Sequence, residues 1–418
     1  MTPTAQNTSS ATLVDGPSAW LRLALCIAAA TVINIGMWAA ILVLPNIQAD
    51  YGVDRADAST AFTMAMVGFA LGNLVLGDWV DRYGIAPILA GSAVVTSICY
   101  ALSTLAPNIW VFAALQLPIG FATGAGFGPL IADVSHWFRR YRGIAIAATA
   151  CGNYISGTIW PLMLKGPIAD EGWRFAFLII AVACTALILP VAFLLRQKQK
   201  GPAGRMALEP PHKTIPLKSW QLTALLLVAG FGCCMAMAMP QVHIVAYCVD
   251  LGFGAGVGAE MLSMMLAAGI ASRLLSGWLA DRIGGVPTLL IGSVLQGLAL
   301  FLYIPFNGLA SLYIVSLIFG LSQGGIVPSY AIIVREYLPA EEAGKRIGII
   351  MVATVGGMAV GGWASGFIFD LTGSYRMAFI HGIAWNIVNM AIMVFILLQS
   401  RPAKPHRTSG SGLATSAG

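Results

Sequence analysis

GDWVDRYG at 77–84 and GWLADRIG at 277–284 are one phrase written twice, 200 residues apart. Gly77, Asp81, Arg82 and Gly84 return as Gly277, Asp281, Arg282 and Gly284. Each copy falls where one long apolar segment ends and the next begins. Other landmarks keep nearly the same offset: GFATG at 120–124 is answered by GLSQG at 320–324, and DEGWRFAF at 170–177 by TGSYRMAF at 372–379. A chain that repeats itself over half its length is two copies of one unit, which fixes the architecture ahead of any other reading. In a membrane, duplicated halves with a site between them are the usual construction of a secondary transporter.

Composition places the chain in the bilayer. Hydrophobic residues make up 58% and charged residues 10%, against roughly 25% charged in a soluble domain; the mean hydropathy is +0.81. Apolar runs long enough to cross a hydrocarbon core of roughly 30 Å recur throughout. Twelve are read: 22–45, 58–78, 85–106, 109–134, 143–164, 173–195, 220–248, 260–280, 287–305, 308–334, 346–368 and 376–399. The expected fold class is therefore all-α and integral to the membrane, with twelve transmembrane helices in two six-helix pseudo-symmetric halves.

The expected organisation is a polar cytoplasmic N-terminus at 1–19, a first half at 20–195, a cytoplasmic linker at 196–219, a second half at 220–399, and a disordered cytoplasmic tail at 400–418. The opening residues lack the basic n-region of a signal peptide. The linker, RQKQKGPAGRMALEPPHKTIPLKS, carries six basic residues, four Pro and two Gly, a composition that stays solvated.

The net charge of +6 is topological. Of 23 Lys and Arg, eighteen fall on the side of the termini, and Arg55, Lys165, Arg174 and Arg376 on the other. The positive-inside rule puts both termini in the cytoplasm, as suits a multi-pass protein of the inner (cytoplasmic) membrane. No nucleic-acid patch results. The seven Cys lie in or beside apolar spans without metal or disulfide spacing and read as small packing residues. No metal site, nucleotide loop or nucleophile elbow is present, so the reading is neither an enzyme nor a cofactor protein, and gradients must drive any transport.

The doubled G-x-x-x-D-R-x-G, at the joints between spans two and three and between eight and nine, resembles the hallmark loop of the major facilitator superfamily, over roughly residues 20–400. Its chemistry suggests a latch at the cytoplasmic end. Asp81 and Arg82, and their repeats Asp281 and Arg282, lie at the interface. Asp133 is the expected partner of Arg82, and Glu336 of Arg282; the alternative is a static topology anchor.

Arg273, in AAGIASRLLSGWLAD, is the one basic residue deep in a span, about 13 residues in and thus roughly 20 Å along the helix. Such a charge costs about 2.5–3.5 kcal/mol on insertion scales and faces a cavity or a partner. No Asp or Glu maps to its depth: Asp133, Asp250 and Glu260 lie near span ends. A central cation without a counter-ion is a site for an anion, and guanidinium matches carboxylate bidentately. An Arg that caps the carbonyls of a broken helix is the alternative. His243, three residues beyond a Pro240 expected to break or kink its helix, can take a proton near neutrality, or serve as a hydrogen-bonded core residue.

PQVHIVAYCVDLG at 240–252, followed by SRLLSGWLADR at 272–282, resembles the bacterial branch of the monocarboxylate transporter family, whose members are typically proton-linked. By that resemblance Arg273 would bind the substrate carboxylate and His243 would lie at the outer side of the cavity. The first-span motif of the animal carriers is not evident; Asn34 and Trp38 occupy that region. The fourth span has Gln116 where many superfamily members have Arg, and the fifth, CGNYISGTIWP, lacks the Gly-Pro pair of drug–proton antiporters. Polar side chains inside spans complete the cavity candidates: Asn34, Gln116, Asn153, Tyr154, Gln323 and Tyr330, each of which must bond a ligand or another helix. Tyr154 and Tyr330 are the preferred pair, with Trp38, Trp160 and Trp363 as possible walls.

The expected function is proton-coupled symport of a small monocarboxylate (lactate, pyruvate or hydroxy-acid type) by a monomer. A carboxylate exchanger, an efflux carrier of a larger amphipath and a membrane sensor are the competing readings.

Overall fold

A computed structural model describes residues 14–196 and 213–402. Most of the 196–219 linker and most of the two terminal segments fall outside them. The described residues are mostly helical, with short turns between helices and a two-residue antiparallel pairing of Lys213–Thr214 with Arg401–Pro402.

The first half contains Pro17–Leu42, Arg55–Tyr83, Ile85–Ser103, Ile109–Ser135, Arg142–Asp170 and Trp173–Leu194. The second contains Ser219–Asp250, Ala255–Ile283, Gly285–Leu302, Leu309–Tyr337, Ala340–Thr372 and Tyr375–Gln399. Among the described residues, eleven of these twelve spans are long and apolar enough to cross a membrane. The fifth, Arg142–Asp170, is long enough at 29 residues but is more polar. Apolar side chains such as Ile98, Val182, Val294 and Leu298 remain exposed around the outside, as lipid contact requires.

Several spans outrun the apolar runs that reveal them. The second begins at Arg55 rather than 58, and the eighth covers Ala255–Ile283 rather than 260–280. Interfacial polar residues continue a helix even though they add nothing to hydropathy. The seventh span also continues through Pro240 without a break, against expectation. A membrane helix tolerates an internal proline when neighbouring helices re-satisfy the freed carbonyl.

The repeated phrase ends two helices in the same way. Gly84 and Gly284 adopt φ of 90° and 88°, left-handed territory that favours glycine, and the chain turns there directly into spans three and nine. GFATG and GLSQG mark the next equivalence. A Cβ at Gly120 would overlap the carbonyl oxygen of Ala65, and one at Gly320 that of Met265. Glycine thus lets span four lie against span two, and span ten against span eight, backbone to backbone. Both helices then break, at Gly124–Phe127 and at Gly324–Gly325. Span one is interrupted at Asn34, whose amide donates to Ala30 O (2.7 Å) and to Gly126 O (3.1 Å), tying two helix breaks together.

The halves meet mainly through span two against span eleven and span five against span eight.

Candidate functional site

A cavity of about 350 Å³ lies between the halves. Its lining comes from spans one, two, four and five of the first half and seven, eight, ten and eleven of the second. The lining follows the repeat. Met37 and Met237, Asn73 and Arg273, Phe127 and Val327, and Tyr154 and Thr354 are pairs separated by 200 residues, and all eight residues face the cavity. The scaffold is therefore symmetric while its chemistry is not: Asn73 stands in one half where Arg273 stands in the other.

Arg273 sits 18 residues past Ala255 and 10 before Ile283, nearer the termini end than the expected mid-depth because its helix starts earlier. Its Nη1 donates to Ala150 O at 2.6 Å and its Nε to Gly324 O at 3.3 Å, the latter at the break in span ten. The guanidinium carbon lies 4.3 Å from the centroid of the Tyr154 ring. Arg273 is half-buried, and the ion pairs among the described residues do not include it. The carbonyl-capping role and the exposed cation coexist: two N–H groups orient the fork, and the cavity receives its charge.

Of the other sequence candidates, Tyr154, Asn153 and Trp38 line the cavity. Trp38 Nε1 donates to Asn153 O at 3.2 Å. Gln323 is buried one layer behind, where its side-chain oxygen accepts a hydrogen bond from Gln241, which does face the cavity. Tyr330 is fully buried elsewhere in the second half, donating to Asn389 Oδ1 at 2.9 Å. Asn34 spends its amide on backbone carbonyls, and Gln116 Nε2 reaches Ser103 and Phe112 O. Trp160 donates to Thr31 O, and Trp363 stacks on Phe367. The lining also includes Gln241 and a set of methionines. Gln241 was legible beside Pro240 in the sequence, but a single glutamine among apolar residues gives no direction.

A charged cluster bridges the halves at the end away from the termini. Arg55 of span two contacts Asp250 of span seven at 2.5 and 3.2 Å, donates to Tyr375 Oη at 2.7 Å, and meets Gln48 Oε1 at 2.9 Å. The backbone N–H groups of Arg55 and Ala56 donate to the Asp370 carboxylate at 2.9 and 2.7 Å. A carboxylate from the second half thus caps the first half's helix, where exposed donors and the helix dipole favour an anion. A second bridge joins Lys165 to Glu260 at 2.5 Å, with Tyr313 Oη donating to the same carboxylate at 2.6 Å.

His243 belongs to this cluster and not to the cavity lining. Its Nε2 lies 2.7 Å from Gly362 O and its Nδ1 3.0 Å from Tyr375 Oη. A carbonyl only accepts, so Nε2 carries the hydrogen and the neutral ring's Nδ1 accepts from the tyrosine. The result is a continuous chain from Asp250 through Arg55 and Tyr375 to His243, in side chains buried except at Asp250.

At the termini end the expected pairings are not the ones formed. Asp133 is held by Arg22, at 2.7 and 2.8 Å, and not by Arg82. Arg22 also lies over the Trp137 ring. Glu336 pairs with Lys213 at 2.9 Å and accepts from Gly285 N, in place of Arg282. Arg282 instead stacks on Trp278, 3.8 Å from its centroid. Asp81, Arg82 and Asp281 lie exposed at the ends of spans two and eight. Asp133 is therefore held within the first half by Arg22 at the start of span one, and Glu336 by the linker residue Lys213 and the start of span nine.

The family model for the Major Facilitator Superfamily matches residues 26–306 and 250–417. Monocarboxylate transporter 13 from Bos taurus is 24% identical over 362 residues, covering 82% of this chain and 82% of that protein. Agnestins efflux protein AgnL12 from Paecilomyces divaricatus is 24% identical over 67% of this chain and 64% of that one. The solved structure of a bacterial homologue of the human lysosomal transporter Spinster, in an inward-facing and occupied conformation, superposes with a TM-score of 0.72 at 12% identity, over 91% of this chain and 97% of that one. That likeness is one of fold. With the family match running through both halves, the chain belongs to the major facilitator superfamily.

Proposed function

We propose that this superfamily member is a secondary active transporter of a small organic monocarboxylate of the lactate, pyruvate or hydroxy-acid type, moved with a proton by alternating access. The observation that carries the reading is Arg273, a fixed cation facing a mostly apolar cavity with no acidic partner among the described residues. One cation calls for one anionic group, and a fork already oriented by two carbonyls suits a planar carboxylate. The similarity to monocarboxylate transporter 13 supports the same chemical class.

With the termini in the cytoplasm of an inner-membrane monomer, the Arg55–Asp250 latch is the outer gate, and the cavity exchanges its contents with the cytoplasm. Opening to the outside then requires separating Arg55 from Asp250 and Lys165 from Glu260. His243 connects the proton to that step. A proton on Nδ1 turns it from acceptor into donor, so the Tyr375 hydroxyl must reverse, and a second cation then faces Arg55 across one oxygen. The charged groups around it are Arg55, Asp250 and Asp370, with Tyr247 and Tyr375 packed alongside. Proton uptake would thereby loosen the outer gate rather than act on the substrate.

Exchange of one carboxylate for another is the second reading, favoured by the placement of His243 outside the cavity lining, since exchange needs no titrating group. Flux in proteoliposomes with and without an inward pH gradient separates the two. Net uptake driven by the gradient marks symport; counterflow that ignores the gradient marks exchange; an absence of any acid flux sinks both. Efflux is what the name of the agnestins protein states for that relative; efflux of larger amphipaths by this chain predicts that neutral compounds move as well as acids.

A further inference from the structure

The cavity divides its chemistry between the halves. Every aromatic side chain on its wall comes from the first half: Trp38, Phe62, Phe69, Phe127 and Tyr154. The second half contributes the Arg273 charge and thioether or aliphatic groups such as Met237, Met351 and Met358. Several polar groups on the wall are engaged already, while Asn153 Oδ1 has no hydrogen-bond partner among the described residues. Asn73 Oδ1 accepts from Gly128 N at 3.2 Å, Thr354 Oγ1 donates to Met351 O at 2.7 Å, and the Gln241 amide nitrogen is bonded to Gln323. A substrate hydroxyl or amine would have Asn153 Oδ1 to bond, whereas flat apolar surface would find most of the wall.

Size points the same way. About 350 Å³ falls in the range of roughly 300–1,000 Å³ that accommodates drug-sized ligands, well above the needs of a three-carbon acid. Phe69 and Phe127 stand with ring centroids 6.1 Å apart and planes tilted by 57°, an aromatic pair that a third ring can extend. Methionines from both halves, Met37 and Met66 among them, supply polarizable sulfur that packs against ring edges and adapts to shape. Asn73 of span two and Arg273 of span eight are equivalent positions that both face the cavity, so an anion on Arg273 shares one space with the Phe69 and Phe127 rings.

We infer that the preferred substrate is an aryl-substituted monocarboxylate, with its carboxylate on Arg273 and its ring among Phe69, Phe127 and Trp38. The inference rests on the monocarboxylate reading above and narrows it. Lactate, phenyllactate and phenyllactamide test it, because they differ only in the ring and in the charge. Purified full-length protein in proteoliposomes is assayed for counterflow of labelled phenyllactate and labelled lactate, and for competition by all three compounds. The expected result is that phenyllactate competes at a concentration at least about tenfold lower than lactate, as burial of a ring's apolar surface implies. The amide should compete poorly. Phe127→Leu should shrink the ratio of the two acids; if that variant fails to fold, the wild-type comparison still decides. Lactate taken up as well as phenyllactate or better overturns the aryl preference and leaves the monocarboxylate reading standing. An amide as effective as the acid, or no transport of either acid, overturns both.

Discussion

Arg55 of the first half and Asp250 of the second, 195 positions apart in the chain, meet at 2.5 Å and close the end of the molecule away from its termini. Arg55 is buried while Asp250 keeps part of its carboxylate in solvent; the side chains are 7% and 30% exposed. Removing one partner of so buried a pair strands a charge, though the exposed side of Asp250 moderates the cost. Arg55→Ala should raise the labelling rate of a Met358→Cys variant by an impermeant maleimide added on the far side by about tenfold, the equivalent of about 1.4 kcal/mol. Asp250→Ala added to Arg55→Ala should give little further increase. Unchanged labelling in both single variants would rule the pair out as a gate.

Arg273→Lys retains the positive charge but loses the planar fork and cannot reproduce both carbonyl contacts. Substrate affinity should fall by at least about tenfold while the protein still folds. Arg273→Ala should also lower the unfolding midpoint by a few degrees, since each lost bond from a charged donor is worth about 1.5–3 kcal/mol. Tyr154→Leu removes the ring beneath the guanidinium and should weaken binding by roughly 2- to 30-fold, the worth of a cation–π contact of about 0.5–2 kcal/mol. Normal transport by Arg273→Ala would end the anion-anchor proposal.

The partner of Asp133 can be settled by a double-mutant cycle. Arg22→Ala and Asp133→Ala should be non-additive by at least ~0.5 kcal/mol in thermal stability, whereas Arg82→Ala combined with Asp133→Ala should add simply. Coupling to Arg82 in place of Arg22 would contradict the geometry.

His243→Gln keeps hydrogen-bonding capacity but cannot take a proton. Net uptake measured from about pH 5.5 to 8, bracketing the ordinary imidazole pKa of about 6.5, should lose much of its pH response, and substrate exchange at fixed pH should survive better. Tyr375→Phe should act in the same direction, because it cuts the link between His243 and Arg55. A pH profile identical to wild type in both variants would remove the relay from the coupling mechanism.

The architecture was open to reading because an offset of about 200 relates the landmarks of the two halves. The same offset also aligns Asn73 with Arg273 and Tyr154 with Thr354, so some cavity-facing positions of one half point to their counterparts in the other. The latch was hidden for a physical reason. Arg55 and Asp250 lie at the polar ends of two spans, where charge normally reports topology, and no local periodicity relates the ends of helices in different halves. The Arg82–Asp133 expectation failed because closeness of two loops does not decide which of several cations reaches a carboxylate first; Arg22, at the start of span one, does. Tyr330 and Asn34 illustrate the ambiguity of polar groups in membrane helices, since each satisfies a neighbouring helix in the same chemical terms that would have served a ligand.

The lone guanidinium at Arg273 has an electrical consequence. Within a membrane-spanning body it sits in the transmembrane field, where moving one elementary charge through the full drop is worth about 2.3 kcal/mol per 100 mV. When the access barrier moves from one side of Arg273 to the other, an empty carrier shifts a net positive charge through part of that drop. A carrier holding the carboxylate alone is neutralised at the same point and shifts none, whereas one that also holds the symported proton again shifts a net positive charge. Carboxylate-for-carboxylate exchange should therefore proceed without regard to membrane potential, while in proton symport voltage acts on the empty and loaded crossings with opposite sign and cancels over the whole cycle.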